Sequence, residues 1–318
     1  MSEIKLSIII PHYNIPQLLM RCIASIPERK DIQIIIVDDQ SPACETYKEK
    51  YPLLSRPNIE FYILPKNAGG GKARNEGLKH VKGEWVLFAD ADDFFNYNFI
   101  EVISQYIYTE NQYDIVYFNT NSLDCDTYEN SPRAGYVNQY IHNFLASNNE
   151  FDVRYTFGEP WCKLIRFELI AKNNIKFDET PIHNDATFSY LIGYYAKKIT
   201  ADKRAIYCLT DRPNSVSKVL TNELHMIRLS IFFRKYIFLK NHGIKQYPMI
   251  NDIIYRTLLH YKVNNDKEYY NKCIDIAVSC GIDKKIILKE IKNTFKSKRL
   301  HNRKVFFKEI VNKVLNKI

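Results

Sequence analysis

The segment LSIIIPHYNIPQLLMRCIASIPERKDIQIIIVDDQS, residues 6–41, decides the architecture. It opens and closes on short β-branched apolar runs, LSIII (6–10) and IQIIIV (32–37), and between them Leu18, Leu19, Cys22, Ile23 and Ile26 recur at helical spacing. A strand that is apolar at successive positions is covered on both faces, and alternation of such strands with helices is the pattern of a parallel sheet with helices packed on each side. The alternation continues outward through IEFYIL (59–64), a helix predicted over 71–81 and EWVLFAD (84–90). The first 90 residues therefore read as a βαβαβαβ half-domain, in which ligands sit at the carboxyl ends of the strands. A helix around Phe99–Tyr108, a strand DIVYFN (114–119), a polar loop over 122–133 and mixed helices and short strands such as AIYCLT follow. From Thr221 onward glycines and β-branched runs thin out and apolar residues return at helical spacing (Leu224, Ile227, Ile231; Ile287, Ile291, Phe295). The expected organisation is an α/β domain over 1–220 and a C-terminal helical region over 221–318.

The composition, 46% apolar and 25% charged in 318 residues, excludes a disordered or collagen-like chain. The net charge of +9 is unevenly placed: residues 284–318 hold 12 Lys/Arg against Glu290 and Glu309, whereas the preceding 283 hold 33 basic and 34 acidic residues. A near-neutral body with a basic tail gives no whole-chain argument for binding nucleic acid, and no nucleic-acid-binding module accompanies the charge. The seven cysteines are scattered without a C-x-x-C pair, so reduced thiols and a cytoplasmic location are expected rather than disulfides or a zinc site. No run approaches a membrane span, and Pro11 interrupts the first apolar run too early for a signal peptide.

Acidic residues stand at two of the predicted strand ends. FADADD (88–93) places Asp90 and Asp92 one residue apart where a divalent cation with its phosphates is bound by one or two carboxylates; the alternative is a solvated acidic turn. VDDQS (37–41) offers carboxylates to a ribose or a base N–H, or else a helix N-cap. Tyr13, in PHYN (11–14), stands where a ring stacks on a base or packs in the turn. NAGGGKARNEGL (67–78) combines glycines with Lys72 and Arg74 at a helix start, yet matches neither G-x-x-x-x-G-K-[ST] nor G-x-G-x-x-G.

Taken in order, SIIIPHYN, VDDQS, NAGGGKARNEGL and GEWVLFADADD resemble the N-terminal half of the family 2 glycosyltransferases, which have the GT-A fold. The resemblance implies a nucleotide-sugar donor, usually a UDP-sugar, with Pro11, Tyr13, Asp38 and Asp39 around the base. It places Asn67, Gly69, Lys72 and Arg74 near the donor phosphates or sugar, Asp90 and Ala91 at the ribose or donor sugar, and Asp92 on Mn²⁺ or Mg²⁺. GEPWCKLIRFELIAKNNIKFDE (158–179) is similar to a segment that packs under the acceptor site in capsule and lipopolysaccharide transferases. HNDATF (183–188) matches the family's E-D-x-x-F, which makes Asp185 the general base of an inverting transfer, with a helix N-cap as the alternative. Asn184 departs from the family's Glu. TDRPNSVS (210–217) resembles a loop that closes over the diphosphate, pointing to Arg212 and Ser215, or is an ordinary turn made by Pro213 and Asn214.

The implied activity is hexosyl or N-acetylhexosaminyl transfer to a glycan or lipid-linked acceptor in surface polysaccharide or lipopolysaccharide assembly. A non-catalytic nucleotide-sugar-binding or scaffold protein on the same fold is the competing expectation, motivated by Asn184. A sugar nucleotidyltransferase is disfavoured because SIIIPHYN lacks the glycine-rich turn of that class. The basic residues of 284–318 suit either an anionic membrane surface, with the protein peripheral on its inner face, or a helix packed on its own bundle with a solvated basic side.

Overall fold

The structure is a computed structural model and describes residues 4–110, 112–212, 221–244, 266–289 and 292. It separates into two compact units, Met1–Val219 and Leu220–Ile318. The expectations for Ser215 and for most of the basic tail fall outside the described residues.

The first unit is built on an eight-stranded sheet. Strand β1 (Leu6–His12) is flanked in parallel by β2 (Ile32–Asp38) and by β4 (Trp85–Phe88), with β3 (Ile59–Ile63) parallel beyond β2. Every residue of β2 and β4 is buried, including Gln33 in the otherwise apolar run IQIIIV of β2, whose Oε1 accepts from Ser7 Oγ of β1 (2.6 Å). The crossovers are α1 (Pro16–Ala24), a short α2 (Tyr47–Lys50) and α3 (Gly70–Leu78). Pro16 occupies the first turn of α1, where its missing N–H costs no hydrogen bond, and Leu19, Cys22 and Ile23 turn inward.

The sheet continues past β4 with mixed direction. β5 (Phe94–Phe95), α4 (Phe99–Ile107), β6 (Ile115–Asp124), α5 (Gly135–Ser147), β7 (Lys163–Arg166), α6 (Phe167–Lys172), α7 (Ala186–Tyr195) and β8 (Ile199–Asp211) follow in the chain. The spatial order is β3-β2-β1-β4-β7-β6-β8-β5, with β7 antiparallel to both β4 and β6 and β5 antiparallel to β8. The stretch from Ser122, expected as loop, belongs in part to β6, which stays in register with β8 as far as Asp124 opposite Asp211. Thr120 and Ser122 are compatible with a buried strand because each finds a main-chain partner: Thr120 Oγ1 donates to Tyr207 O (2.9 Å) and Ser122 Oγ to Ser131 O (2.7 Å).

In the second unit, α8 (Asn222–Asn241) and α9 (Lys267–Ser279) carry side-chain caps at their starts, Thr221 accepting from Leu224 N and Asp266 from Tyr269 N, each at 3.2 Å. Leu229, Phe233, Cys273, Ile274 and Ala277 form its core with Ile282 and Ile287. The apolar stripe of α8 is therefore centred further along than Leu224 and Ile227, which are only half-buried. All seven cysteines are free thiols, and no described helix is long and apolar enough to cross a membrane.

Candidate active site

Because β2, β1 and β4 are neighbours, the turns leaving them meet at one edge of the sheet. The first is locked from within. His12 Nδ1 lies 2.6 Å from Asp38 Oδ2 with both side chains buried, and the Ile15 amide donates to His12 Nε2 (3.1 Å). An Nε2 that accepts places the proton on Nδ1, so the imidazole donates to the carboxylate. The Ser41 amide (2.6 Å) and hydroxyl (2.8 Å) supply further donors to Asp38, and hydrogen bonding from His12 and Ser41, working against burial, holds the carboxyl below its usual range. Asp38 is thus a fastener of the turn, fully enclosed, and does not face the cleft as its donor-binding expectation required.

Asp39 is also spent on main chain: its two oxygens accept from the Ala68 (2.7 Å) and Gly69 (2.8 Å) amides, while Asn67 Nδ2 donates to Asp39 O (3.0 Å). These bonds pin the glycine turn to the end of β2. Gly69 makes that turn at φ +88°, a conformation that favours glycine. Tyr13, 50% exposed, leaves its ring open at the rim, and Pro11 lies half-buried in β1.

After β4, the carboxylates of Asp90, Asp92 and Asp93 bring one oxygen each within 4.8 Å of the others. Ala91 between them is buried. Asp93 sits at the back, where its Oδ1 accepts from the Thr210 amide (2.7 Å); burial, then the charges of Asp92 and Asp90, push its carboxyl well up. The more open pair is held by arginines: Arg74 Nη2 contacts Asp90 Oδ1 at 2.5 Å and Arg212 Nη2 contacts Asp92 Oδ2 at 2.6 Å. Burial and Asp90 raise the Asp92 carboxyl, with Arg212 opposing them. Arg21 Nη2 (2.5 Å) and the Thr210 hydroxyl donate to Asp92 O, and Tyr207 OH accepts from Asp90 N (2.8 Å), so the main chain of the cluster is fixed from α1 and β8. Two half-buried carboxylates with a third behind them fit a Mn²⁺ or Mg²⁺ ion, which takes one or two protein carboxylates and leaves positions for phosphate oxygens.

The last part of the site comes from the segment preceding α7. A Cβ on Gly71 would lie 2.0 Å from Asp178 O, so only glycine lets α3 start this close to residues 178–184. One turn later Arg74, 7% exposed, donates from Nη1 to Asn184 Oδ1 (2.9 Å) while holding Asp90 through Nη2. Asp185 follows at the N-terminal boundary of α7, and its side chain makes no capping hydrogen bond there, against the alternative considered for it. It is partly exposed in a recess. Burial pushes its carboxyl up to about 6; Arg74 pulls it down, and Glu159 and Asp90 push it further up.

Lys72 does not join this group. Its Nζ pairs with Glu179 Oε1 at 3.2 Å, and with Asn75 and Lys79 it lines a separate groove under α3 of about 290 Å³. Residues two apart on a helix point about 200° from one another, so Lys72 and Arg74 cannot both face the same cleft. Arg21, Asp93, Tyr207 and Thr210 carried no local sequence signal, apart from the third carboxylate visible in FADADD.

The model of the family described as glycosyl transferase family 2 matches residues 7–173. Among curated proteins, the chain is 25% identical over 276 residues to the glycosyltransferase GlyA of Streptococcus pneumoniae serotype 4, covering 82% of this chain and 38% of that protein. It is 29% identical over 279 residues to the minor teichoic acid biosynthesis protein GgaB of Bacillus subtilis, covering 80% of this chain and 29% of GgaB. The chain therefore spans only about a third of the length of these relatives. Among solved structures, the 1–349 fragment of S. aureus TarS in complex with UDP-GlcNAc superposes with a TM-score of 0.58 at 21% identity, over 86% of this chain and 91% of that one. The fold is accordingly GT-A, with helices following the core domain.

Proposed function

Because the chain belongs to glycosyl transferase family 2, we propose that it transfers a sugar, with inversion, from a UDP-sugar to a hydroxyl of a glycan or glycolipid acceptor in the assembly of a surface polysaccharide. The observation that carries this reading is the bridge made by Arg74, which holds Asp90 at 2.5 Å and Asn184 at 2.9 Å with one guanidinium. Residues far apart in sequence, the acidic strand end and the segment bearing Asp185, thereby belong to one cleft.

In a single displacement the acceptor oxygen attacks the anomeric carbon and its proton passes to Asp185. The bond from that carbon to the diphosphate oxygen breaks, and its electron pair leaves on UDP. Asp185 suits the role because it is recessed, makes no capping bond and titrates near the pH at which it must accept a proton. Asp92, with Asp90 beside it, would hold Mn²⁺ or Mg²⁺, which when bound neutralises charge on the diphosphate. Arg212 supplies a further positive charge at the same edge, and Tyr13 an open ring for the base. Asn184 accepts a hydrogen bond from Arg74 (2.9 Å), which ties the segment bearing Asp185 to the acidic cluster and supports the catalytic reading over a scaffold role. The name of GgaB and the UDP-GlcNAc bound to TarS support a surface-polymer acceptor and a UDP-linked donor.

The test is UDP release from a panel of UDP-sugars with Mn²⁺ and with a chelator. At least one donor is expected to release UDP in a metal-dependent way. A panel that is silent for every donor, with UDP binding intact, would favour a binding protein.

A further inference from the structure

The turn before β7 presents a carboxylate that the scheme above leaves unused. Glu159 Oε1 accepts from the Tyr136 hydroxyl of α5 at 2.6 Å, and its other oxygen has no hydrogen-bond partner among the described residues. Glu159 is half-buried, and Tyr136 is 42% exposed, with its ring edge-to-face against Tyr140 at 6.0 Å. Glu159 is close enough to Asp185 for its charge to be felt there.

The turn is held rigidly. Lys163, 1% exposed, donates to Phe157 O (2.6 Å) and to Ser189 Oγ (3.1 Å), and the Ser189 hydroxyl reaches Glu159 O at 3.4 Å. Ser189 lies one helical turn after Asp185 on α7, so the turn and that carboxylate are clamped to the same element. Trp161 stacks on Tyr207 with ring centroids 6.1 Å apart, and Tyr207 in turn holds the Asp90 amide. A carboxylate with one free oxygen, a half-open aromatic ring and a rigid support are the groups that bind a neutral polyol. The carboxylate accepts from a hydroxyl, and the ring packs on carbon-bound hydrogens. The carboxylates of Glu159 and Asp185 disfavour a phosphate between them, while a positive charge acts on Tyr136 from Arg133, whose Nη1 donates to Thr210 O at 2.8 Å.

We infer that Glu159 and Tyr136 form an acceptor subsite beside Asp185, in which Glu159 accepts a hydrogen bond from a second, non-reacting hydroxyl of a neutral sugar or polyol and Tyr136 packs against its carbon face. The inference rests on the reading of the Asp185 cleft as a transferase site. It makes Glu159 and Tyr136 specificity-determining residues that orient the acceptor for attack.

Saturation-transfer NMR on the full chain with UDP and Mg²⁺, using methyl β-D-glucopyranoside and ribitol as probes, tests it. Wild type is expected to bind at least one probe. Glu159→Gln should weaken that binding by about 10- to 100-fold, the range for losing a hydrogen bond to a charged group. Tyr136→Phe should weaken it less and Tyr136→Ala more, each with UDP affinity unchanged. Absence of probe binding by wild type, Glu159→Gln binding the probe within twofold of wild type, or equal losses of UDP and probe would overturn the subsite. Probe binding without any sugar transfer would instead count against the transferase reading and leave the subsite standing.

Discussion

Asp185→Asn is expected to lower sugar transfer by about 10²- to 10⁴-fold, the usual contribution of a positioned general base, with UDP affinity retained. The wild-type rate should carry an acid limb near pH 6, because burial and the charges of Glu159 and Asp90 outweigh Arg74 in raising the carboxyl to about 6. The active form is the ionised one, so the rate falls as pH drops through that value, and the variant loses the limb. Stability provides a control on the same substitution. A carboxyl whose folded pKa lies above its unfolded value of 3.8 loses stability to the fold as pH rises from there to about 6. Asp185→Asn should then melt at or above wild type at pH 7.5, so that inactivity is not traceable to unfolding. Transfer within threefold of wild type would remove Asp185 from the base role.

Asp92→Asn is expected to abolish the metal dependence of UDP release and to lower the rate roughly 10²- to 10³-fold, corresponding to the several kcal/mol that a metal ion contributes at a developing anion. The substitution also unpairs Arg212, whose guanidinium is 2.6 Å from the Asp92 carboxylate. UDP binding measured with and without Mn²⁺ separates the two effects. Wild type should gain affinity from the ion, and Asp92→Asn should show the same affinity in both conditions. Retained metal-dependent binding would mean that the cation is held elsewhere.

The first half of the fold was legible because a parallel strand covered on both faces is apolar on both, which LSIII, IQIIIV and WVLF satisfy apart from Ser7 and Gln33, and those two bond each other between β1 and β2 (2.6 Å). The far half was less so. β6 is rich in polar residues whose partners are main-chain groups of β8 and of Ser131, and no local pattern reveals partners that distant. The site divides along the same line. FADADD and the neighbourhood of Asp185 stood out by composition and by resemblance, and the structure joins them through Arg74. Asp38 and Asp39 stood out equally, yet a carboxylate at a strand end looks the same in sequence whether it faces a ligand or, as here, fastens main-chain amides. Glu159 was hidden for the opposite reason. Nothing about one Glu in a turn signals a neighbour until α5 delivers the Tyr136 hydroxyl and α7 brings Asp185 alongside.

The claim at the centre of this account is a single displacement at the anomeric carbon with Asp185 taking the acceptor's proton. It is tested most directly by ¹H NMR of the anomeric centre in the product formed from an α-linked UDP-sugar, recorded before free sugar mutarotates. A β-configured product is predicted. An α-configured product, or none above the uncatalysed rate, would contradict it.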